Sequence, residues 1–299
     1  MALTINHNMM SMTTARLLTD SYGKLANSTR RLSSGLRIQT AADDAAGLAV
    51  REIMRSEIKS LQQGIRNAND AISMIQTADG ALGVIDEKLI RMKELAMQAS
   101  TGTYSSDQRL IIDSEYQAMA SEITRIANST DFNGIHLLNG NLSGTSSTHN
   151  GAALKATGPM KVHFGTGNDS SEDYYYISID NSTASALGVG LGATGATNGK
   201  SISTQQLAQT ALDSLNNAII SKDKIRANLG SMQNRLQNTI TNLSIQAENT
   251  QAAESLVSDV DVATEMTEFT RQQILTQSAV AMLSQANGLG RLAMQLIGG

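Results

Sequence analysis

Apolar side chains recur along this chain at alternating steps of three and four residues. One run is Ile58, Leu61, Ile65, Ala68, Ile72 and Ile75; a second is Ala78, Leu82, Ile85, Leu89, Met92, Ala96 and Ala99. Each keeps the spacing of a coiled-coil seam. At the join, Ile75 to Ala78, one three-residue step follows another, a stammer that predicts local overwinding. Residues 44–100 are expected to form a helix roughly 85 Å long at about 1.5 Å per residue. Thr101-Gly102-Thr103 should end it. A second helix is expected over about 106–129, and Asp131-Phe132-Asn133-Gly134 reads as a turn.

The later half repeats the pattern. Leu215, Ala218, Lys222, Ile225, Leu229, Met232, Leu236, Thr239, Leu243 and Gln246 form one stripe, on which Lys222 and Gln246 mark wetter or terminal positions. The last segment carries Leu275, Ala279, Met282, Ala286, Leu289, Ala293 and Leu296; the first carries Ala15, Leu18, Tyr22, Leu25, Thr29, Leu32 and Leu36. Neither stripe is wide enough to bury alone, so the two chain ends are expected to pair. Residues 1–42 carry five basic side chains and one acidic, and residues 257–299 two basic and four acidic. Their attraction is weak at physiological salt, so apolar contact must supply the main association term. A two-helix pair still leaves apolar surface outside, which calls for further copies of the same chain.

Between these flanks the pattern breaks. Residues 144–199 hold 10 of the 24 glycines and the single proline, Pro159. This stretch cannot be long helix. Met160–Phe164 and Tyr174–Ile179 read as two short strands joined by residues 165–171, a hairpin; residues 184–200 read as loop. The expected fold is mainly α, a long antiparallel helical rod or coiled coil built by the N- and C-terminal segments with a small β-hairpin insert. Residues 1–43 and 256–299 are expected to form a discontinuous coiled-coil core domain. Residues 44–255 form a helical rod domain, with 141–200 as its hairpin and loop insert.

Composition narrows the function. Aromatic residues are 3% of the 299, with no Trp and no Cys, so seams of aliphatic and small side chains must do the packing. Without Cys there is no disulfide, thiol nucleophile or Cys-ligated metal. A formal net charge of −4 is no nucleic-acid footprint. No run of 18 apolar residues predicts a membrane span, and the first residues lack the pattern of a cleaved secretory signal. His7, His136, His149 and His163 have no metal-ligand spacing, and there is no HExxH. Gly188-Val-Gly-Leu-Gly192 matches no phosphate loop. Asp43-Asp44 reads as a helix N-cap in preference to an acid pair. Nothing assembles a nucleophile, base and orienter, so no enzyme activity, cofactor or metal is expected.

Three segments resemble one family. The run from Leu32 to Leu82, which includes LSSGLRIQTAADDAAGLAV, together with DFNGIHLLNG at 131–140 and SQANGLGRLAMQLIGG at 284–299, is similar to the bacterial flagellins. The resemblance covers roughly 1–140 and 200–299; the middle is the family's variable part, here short. It implies a structural subunit that polymerises into a helical filament with its terminal segments as the inner coiled coil. It also implies unfolded export by the flagellar type III system and a place in the secreted, extracellular flagellum. Implied partners are copies of itself, an export chaperone, and the filament cap and junction proteins, with no nucleic acid and no membrane insertion. The polymerisation seam is expected at Leu18, Leu25, Leu32, Leu275, Met282, Leu289 and Leu296. The resemblance further implies recognition by the flagellin-sensing Toll-like receptor of animal hosts. By motif position Arg91, Leu95 and Glu115 correspond to the family's main receptor contacts, within residues 89–99. Lys93 stands where many members have Arg, which keeps the charge and loses a bidentate fork. Leu95 lies off the Leu89–Met92–Ala96 stripe, which leaves an outward orientation open to it; the competing role is subunit packing. The nearest rival identity is a hook–filament junction protein, which shares the terminal helical plan.

Overall fold

The computed structural model describes residues 7–143, 158–170, 172–190 and 200–297, with side chains of the last helix described through residue 288. The elements are α1 (Met9–Ser34), α2 (Ala45–Ser100), α3 (Ser106–Ser129), β1 (Asp131–Phe132), β2 (Ile135–His136), β3 (Met160–His163), β4 (Tyr174–Ile177), α4 (Gln205–Ser258) and α5 (Val262–Ile297). The chain is mainly α, with long antiparallel helices and the expected small hairpin; a second hairpin, β1–β2, stands where the sequence reads only as a turn. The glycine-rich residues 144–157 and 191–199, which include His149, lie outside the described residues.

Local chemistry sets the helix ends. The Asn8 side chain accepts the Ser11 N–H at 3.0 Å, and α1 stops at Gly35, whose φ of 73° closes the helix with its N–H on the Arg31 carbonyl. The Asp44 carboxylate accepts the Gly47 N–H at 2.9 Å at the start of α2, the cap role expected of it. Ser105 and Gln108 form a capping box on α3. Asn133 (φ 52°) and Gly134 (φ 79°) make the turn of the β1–β2 hairpin, both in the left-handed region that a two-residue type I′ turn requires. β3 and β4 pair antiparallel, Met160 opposite Ile177 and His163 opposite Tyr174, which is the predicted hairpin.

Contacts divide the chain into two compact units, Lys59–Ala247 and Met1–Ile58 with Glu248–Gly299. In Lys59–Ala247, α2 and α4 run antiparallel. Lys222 Nζ meets Asp86 Oδ1 at 2.6 Å, and one heptad away on α2 the Arg226 guanidinium holds Asp79 at 2.7 and 3.1 Å. Their facing sides form the core with α3 and the hairpins, from Leu61 through Leu82, Leu89 and Met92 to Leu215, Leu229 and Leu243.

Two expectations fail in this unit. The buried line on α2 runs Leu61, Gly64, Ala68, Ala71, Ile75, Ala78, Leu82, Ile85, Leu89, Met92, Ala96 and Ala99, an unbroken alternation of threes and fours, so there is no stammer at Ile75. Ile65 and Ile72 sit half-buried beside it. The seam prefers Gly64 because the hairpin backbone lies there: a Cβ on Gly64 would collide with the Phe164 carbonyl. The Asn67 side chain donates to the adjoining His163 carbonyl at 2.8 Å. Lys222, expected at a wet position, is 1% exposed. Its ammonium sits between Asp86 and Asp223, at 2.6 and 2.7 Å, and this pairing lets a cation occupy an apolar seam.

In the other unit, α1 and α5 pack antiparallel: Asn8 donates to the Ala286 carbonyl at 2.8 Å and Arg31 faces Glu265 at 3.7 Å. The loop between α1 and α2 is tied down by Arg51, which donates to the buried Ile38 carbonyl at 2.7 Å, and by Arg37 N–H on the Ser258 carbonyl at 2.7 Å.

Candidate functional site

The paired faces of α1 and α5 are chemically unlike the α2–α4 seam. On α1 the covered line is Ser11, Thr14, Leu18, Ser21, Leu25, Ser28 and Leu32; on α5 it is Glu265, Phe269, Gln272, Thr276, Ala279, Leu283 and Ala286. Every second position is small or polar. Short side chains let the two backbones approach, and Ser28, Gln272 and Thr276 are fully buried between them. The expected Leu18, Leu25 and Leu32 are on the covered line, each half-buried. Ala15, Tyr22 and Thr29 are not; they point to solvent.

On α5 the expected seam is displaced. Leu275 and Met282 are exposed, Met282 to 57%, and do not face α1. Ala279 and Ala286 of the expected stripe do face α1, and Phe269, Gln272, Thr276 and Leu283 take the other places on that line. The side chains of Leu289 and Leu296 lie outside the described residues. Apolar side chains are therefore left uncovered on both helices: Met9, Met10, Met12, Leu17 and Tyr22 on α1, and Val262, Met266, Ile274, Leu275, Val280 and Met282 on α5. Val50, Ile53 and Leu256 in the same unit are exposed as well, Leu256 to 85%. An exterior this rich in exposed apolar side chains marks an association surface.

The second candidate lies on α2 and α3, inside Lys59–Ala247. Arg91 is forked onto Glu115 of α3 at 2.9 and 3.0 Å and reaches Glu94 at 3.0 Å. Glu94 first, then Glu115, raise the Arg91 pKa and keep the guanidinium charged. The structure thus brings Arg91 and Glu115 together across 24 residues of sequence. Leu95 does not join them at the surface. It is 2% exposed and packed in the core, which corrects the outward orientation. At this level α2 has two partners, α4 on one side and α3 on the other; Arg109 of α3 donates to the Ala99 and Thr101 carbonyls at 2.9 and 2.7 Å. Leu95 fills the second interface beside Ala96. The exposed apolar residues here are Ile90, Met97, Leu110 and Ile111, which sequence spacing did not single out.

No group of three or more His, Asp or Glu side chains able to hold a metal occurs among the described residues, and no described helix is long and apolar enough to cross a membrane.

Family profiles decide what these surfaces belong to. The bacterial flagellin N-terminal helical region matches residues 5–143, and the bacterial flagellin C-terminal helical region matches residues 204–297. The chain belongs to the bacterial flagellin family. Flagellin FlaB2 of Treponema pallidum (strain Nichols) is 38% identical over 293 residues, covering 98% of this chain and 99% of that protein. The flagellar filament 33 kDa core protein of Treponema phagedenis is 40% identical over 294 residues, with 98% and 99% covered. The flagellin of Bacillus subtilis (strain 168) is 38% identical over 309 residues, again with 98% and 99% covered. Among solved structures, Bacillus cereus flagellin aligns with 30% identity and a TM-score of 0.46, covering 63% of this chain and 94% of that one. Flagellins are structural proteins; this one is a subunit of the extracellular bacterial flagellar filament.

Proposed function

We propose that copies of this flagellin join through the outward apolar faces of α1 and α5, with residues 1–43 and 256–299 as the filament's inner core and residues 44–255 around them. The observation that carries this reading is the displacement of Leu275 and Met282 away from the intramolecular seam. A stripe with heptad spacing that its own partner helix leaves open is complementary to another copy. Burying one such side chain contributes about 1.5–3 kcal/mol, and a heterologous contact that does not close produces a helical fibre. Export unfolded through the flagellar type III system, escorted by a chaperone and followed by insertion under a cap, fits a terminal unit that completes its burial only on assembly.

Seeded elongation tests the reading. Monomer added to sheared filament fragments should lengthen them; Leu275→Asp and Met282→Asp should each stop growth while circular dichroism of the monomer is unchanged. Elongation at the wild-type rate by both variants would refute the interface. Failure of wild-type protein to grow long filaments would instead favour a hook–filament junction role.

Recognition by a Toll-like receptor is read onto Arg91 and Glu115, with Leu95 acting from beneath as a packing residue. The carrying observation is the exposed Arg91–Glu115 fork beside Ile111. Arg91→Ala should reduce receptor signalling by the monomer without lowering its stability; unchanged signalling would remove the patch.

A further inference from the structure

Most exposed methionines lie in the terminal unit, with Met97 the exception on α2 among the described residues. In the α2–α4 core, Met74 and Met92 are sealed, Met92 at 0% exposure. In the terminal unit Met9, Met10, Met12, Met266 and Met282 are all open, Met12 to 63%. Four of these gather at one end. Asn8 and Ser11, at the start of α1, are hydrogen-bonded to Ala286 and Asn287 at 2.8 Å, and Met282 lies one turn of α5, about 6 Å, from Ala286. The exposed thioethers sit on the faces assigned above to assembly, so this inference rests on that reading.

We propose that oxidation of the exposed Met9, Met10, Met12 and Met282 at one end of the pair, and of Met266 farther along α5, switches assembly off, with peroxide as the oxidant. The sulfur lone pair attacks one oxygen of hydrogen peroxide. An S–O bond forms as the O–O bond breaks, sulfur loses two electrons, and the departing hydroxide takes the proton from the oxygen now bound to sulfur and leaves as water. The product sulfoxide is polar and chiral where an apolar side chain must be buried. Exposure makes the free subunit the reactive form; burial against neighbours makes the filament the protected one. Assembled and unassembled subunits thus differ in sensitivity to the same oxidant, and a sulfoxide reductase reverses the block.

The experiment treats monomer with hydrogen peroxide, maps added oxygen by peptide mass spectrometry, and measures seeded elongation. Oxidation should fall on the five named residues and Met97 and spare Met74 and Met92. Elongation should slow at least about tenfold and recover after methionine sulfoxide reductase. A variant with the five residues changed to Leu should keep its elongation rate through the same treatment. The same residues in pre-formed filaments should stay unoxidised. Wild-type elongation unchanged despite oxidation of the five would overturn the proposal. So would an equal loss of elongation in the Leu variant, which would place the damage elsewhere, or failure of the five to oxidise in the monomer. If untreated wild-type protein does not elongate seeds, it is the assembly reading that fails.

Discussion

The α1–α5 and α2–α4 helix pairs share a spacing of threes and fours but bury different chemistry. Between α2 and α4 the covered line is Leu, Ile, Met and Ala, interrupted by one buried cation, Lys222. Between α1 and α5 it alternates Leu with Ser, Thr and Gln, and much of the apolar surface is turned outward. The first pair is closed on itself. The second is thinly sealed inside and sticky outside. A heptad pattern therefore gives the helix and its period, while the choice of which line faces inward separates an intramolecular core from a surface awaiting another copy.

The strongest way to break this contrast is a pair of truncations. Leu82, fully covered in the α2–α4 seam, should cost about 3 kcal/mol on change to Ala, from lost transfer energy plus a cavity. Leu275→Ala should change monomer stability by no more than about 0.5 kcal/mol, the usual range for an exposed position. Guanidinium unfolding of both variants checks it. Equal destabilisation by the two would mean that α5 has its apolar line inside after all.

Some of this was legible in the sequence, and the pattern of success follows the range of the physics involved. The α3 bounds at 106–129, the Asp44 cap and the two strands, expected at 160–164 and 174–179 and found at 160–163 and 174–177, depend on neighbours a few residues away, and sequence spacing finds them to within two residues. The covered line on α1 depends on a partner some 250 residues distant. Leu18, Leu25 and Leu32 belong to two interleaved stripes, one through Ala15, Tyr22 and Thr29 and one through Ser21 and Ser28. Hydropathy selects the first, and close helix approach selects the second. Gly64 replaces Ile65 in the α2 seam for a similar reason, since only the folded hairpin brings the Phe164 carbonyl there. Leu95 was misjudged because its cover, α3, is a second partner that a single seam does not reveal. Arg91 and Glu115 carry no sequence signal of their own pairing; resemblance alone put them together.

The next test sharpens the contrast inside the closed pair. Lys222→Met takes the ammonium from part-exposed Asp86 and should cost about 1–2 kcal/mol, while Lys222→Met with Asp86→Leu should recover most of that loss. A buried polar pair of this kind fixes register, since shifting α4 by one heptad would bring Lys222 opposite Lys93 in one direction and, in the other, would set Lys222 at Asp79 and take Arg226 off its carboxylate. Thermal unfolding of the single and double variants measures the coupling. If the double variant is as unstable as the sum of its singles, the pair is not a register lock.

The smallest effect expected is on the open pair's own approach loop. Asp43 accepts the Thr40 N–H at 3.0 Å and the Thr40 hydroxyl at 2.9 Å, then the Gln39 N–H at 3.3 Å, with Arg30 at 3.8 Å. The Thr40 amide above all, then its hydroxyl, hold the Asp43 pKa below its ordinary value. A carboxylate with a lowered folded-state pKa contributes stability above the unfolded pKa and loses it as pH falls through the folded value. The loop between α1 and α2 should therefore hold at neutral pH and loosen only below about pH 4, where unperturbed aspartates protonate. Amide exchange at Gln39 and Thr40 should rise, once corrected for intrinsic rate, between pH 4 and acid, and Asp43→Asn, which cannot titrate, should raise it at neutral pH as well and remove the acid-dependent step. Core amides of α2 around Leu82 should not follow it. A parallel rise there would mean that acid unfolds the closed pair as readily as the loop, and the distinction between a sealed core and a lightly held terminal unit would be lost.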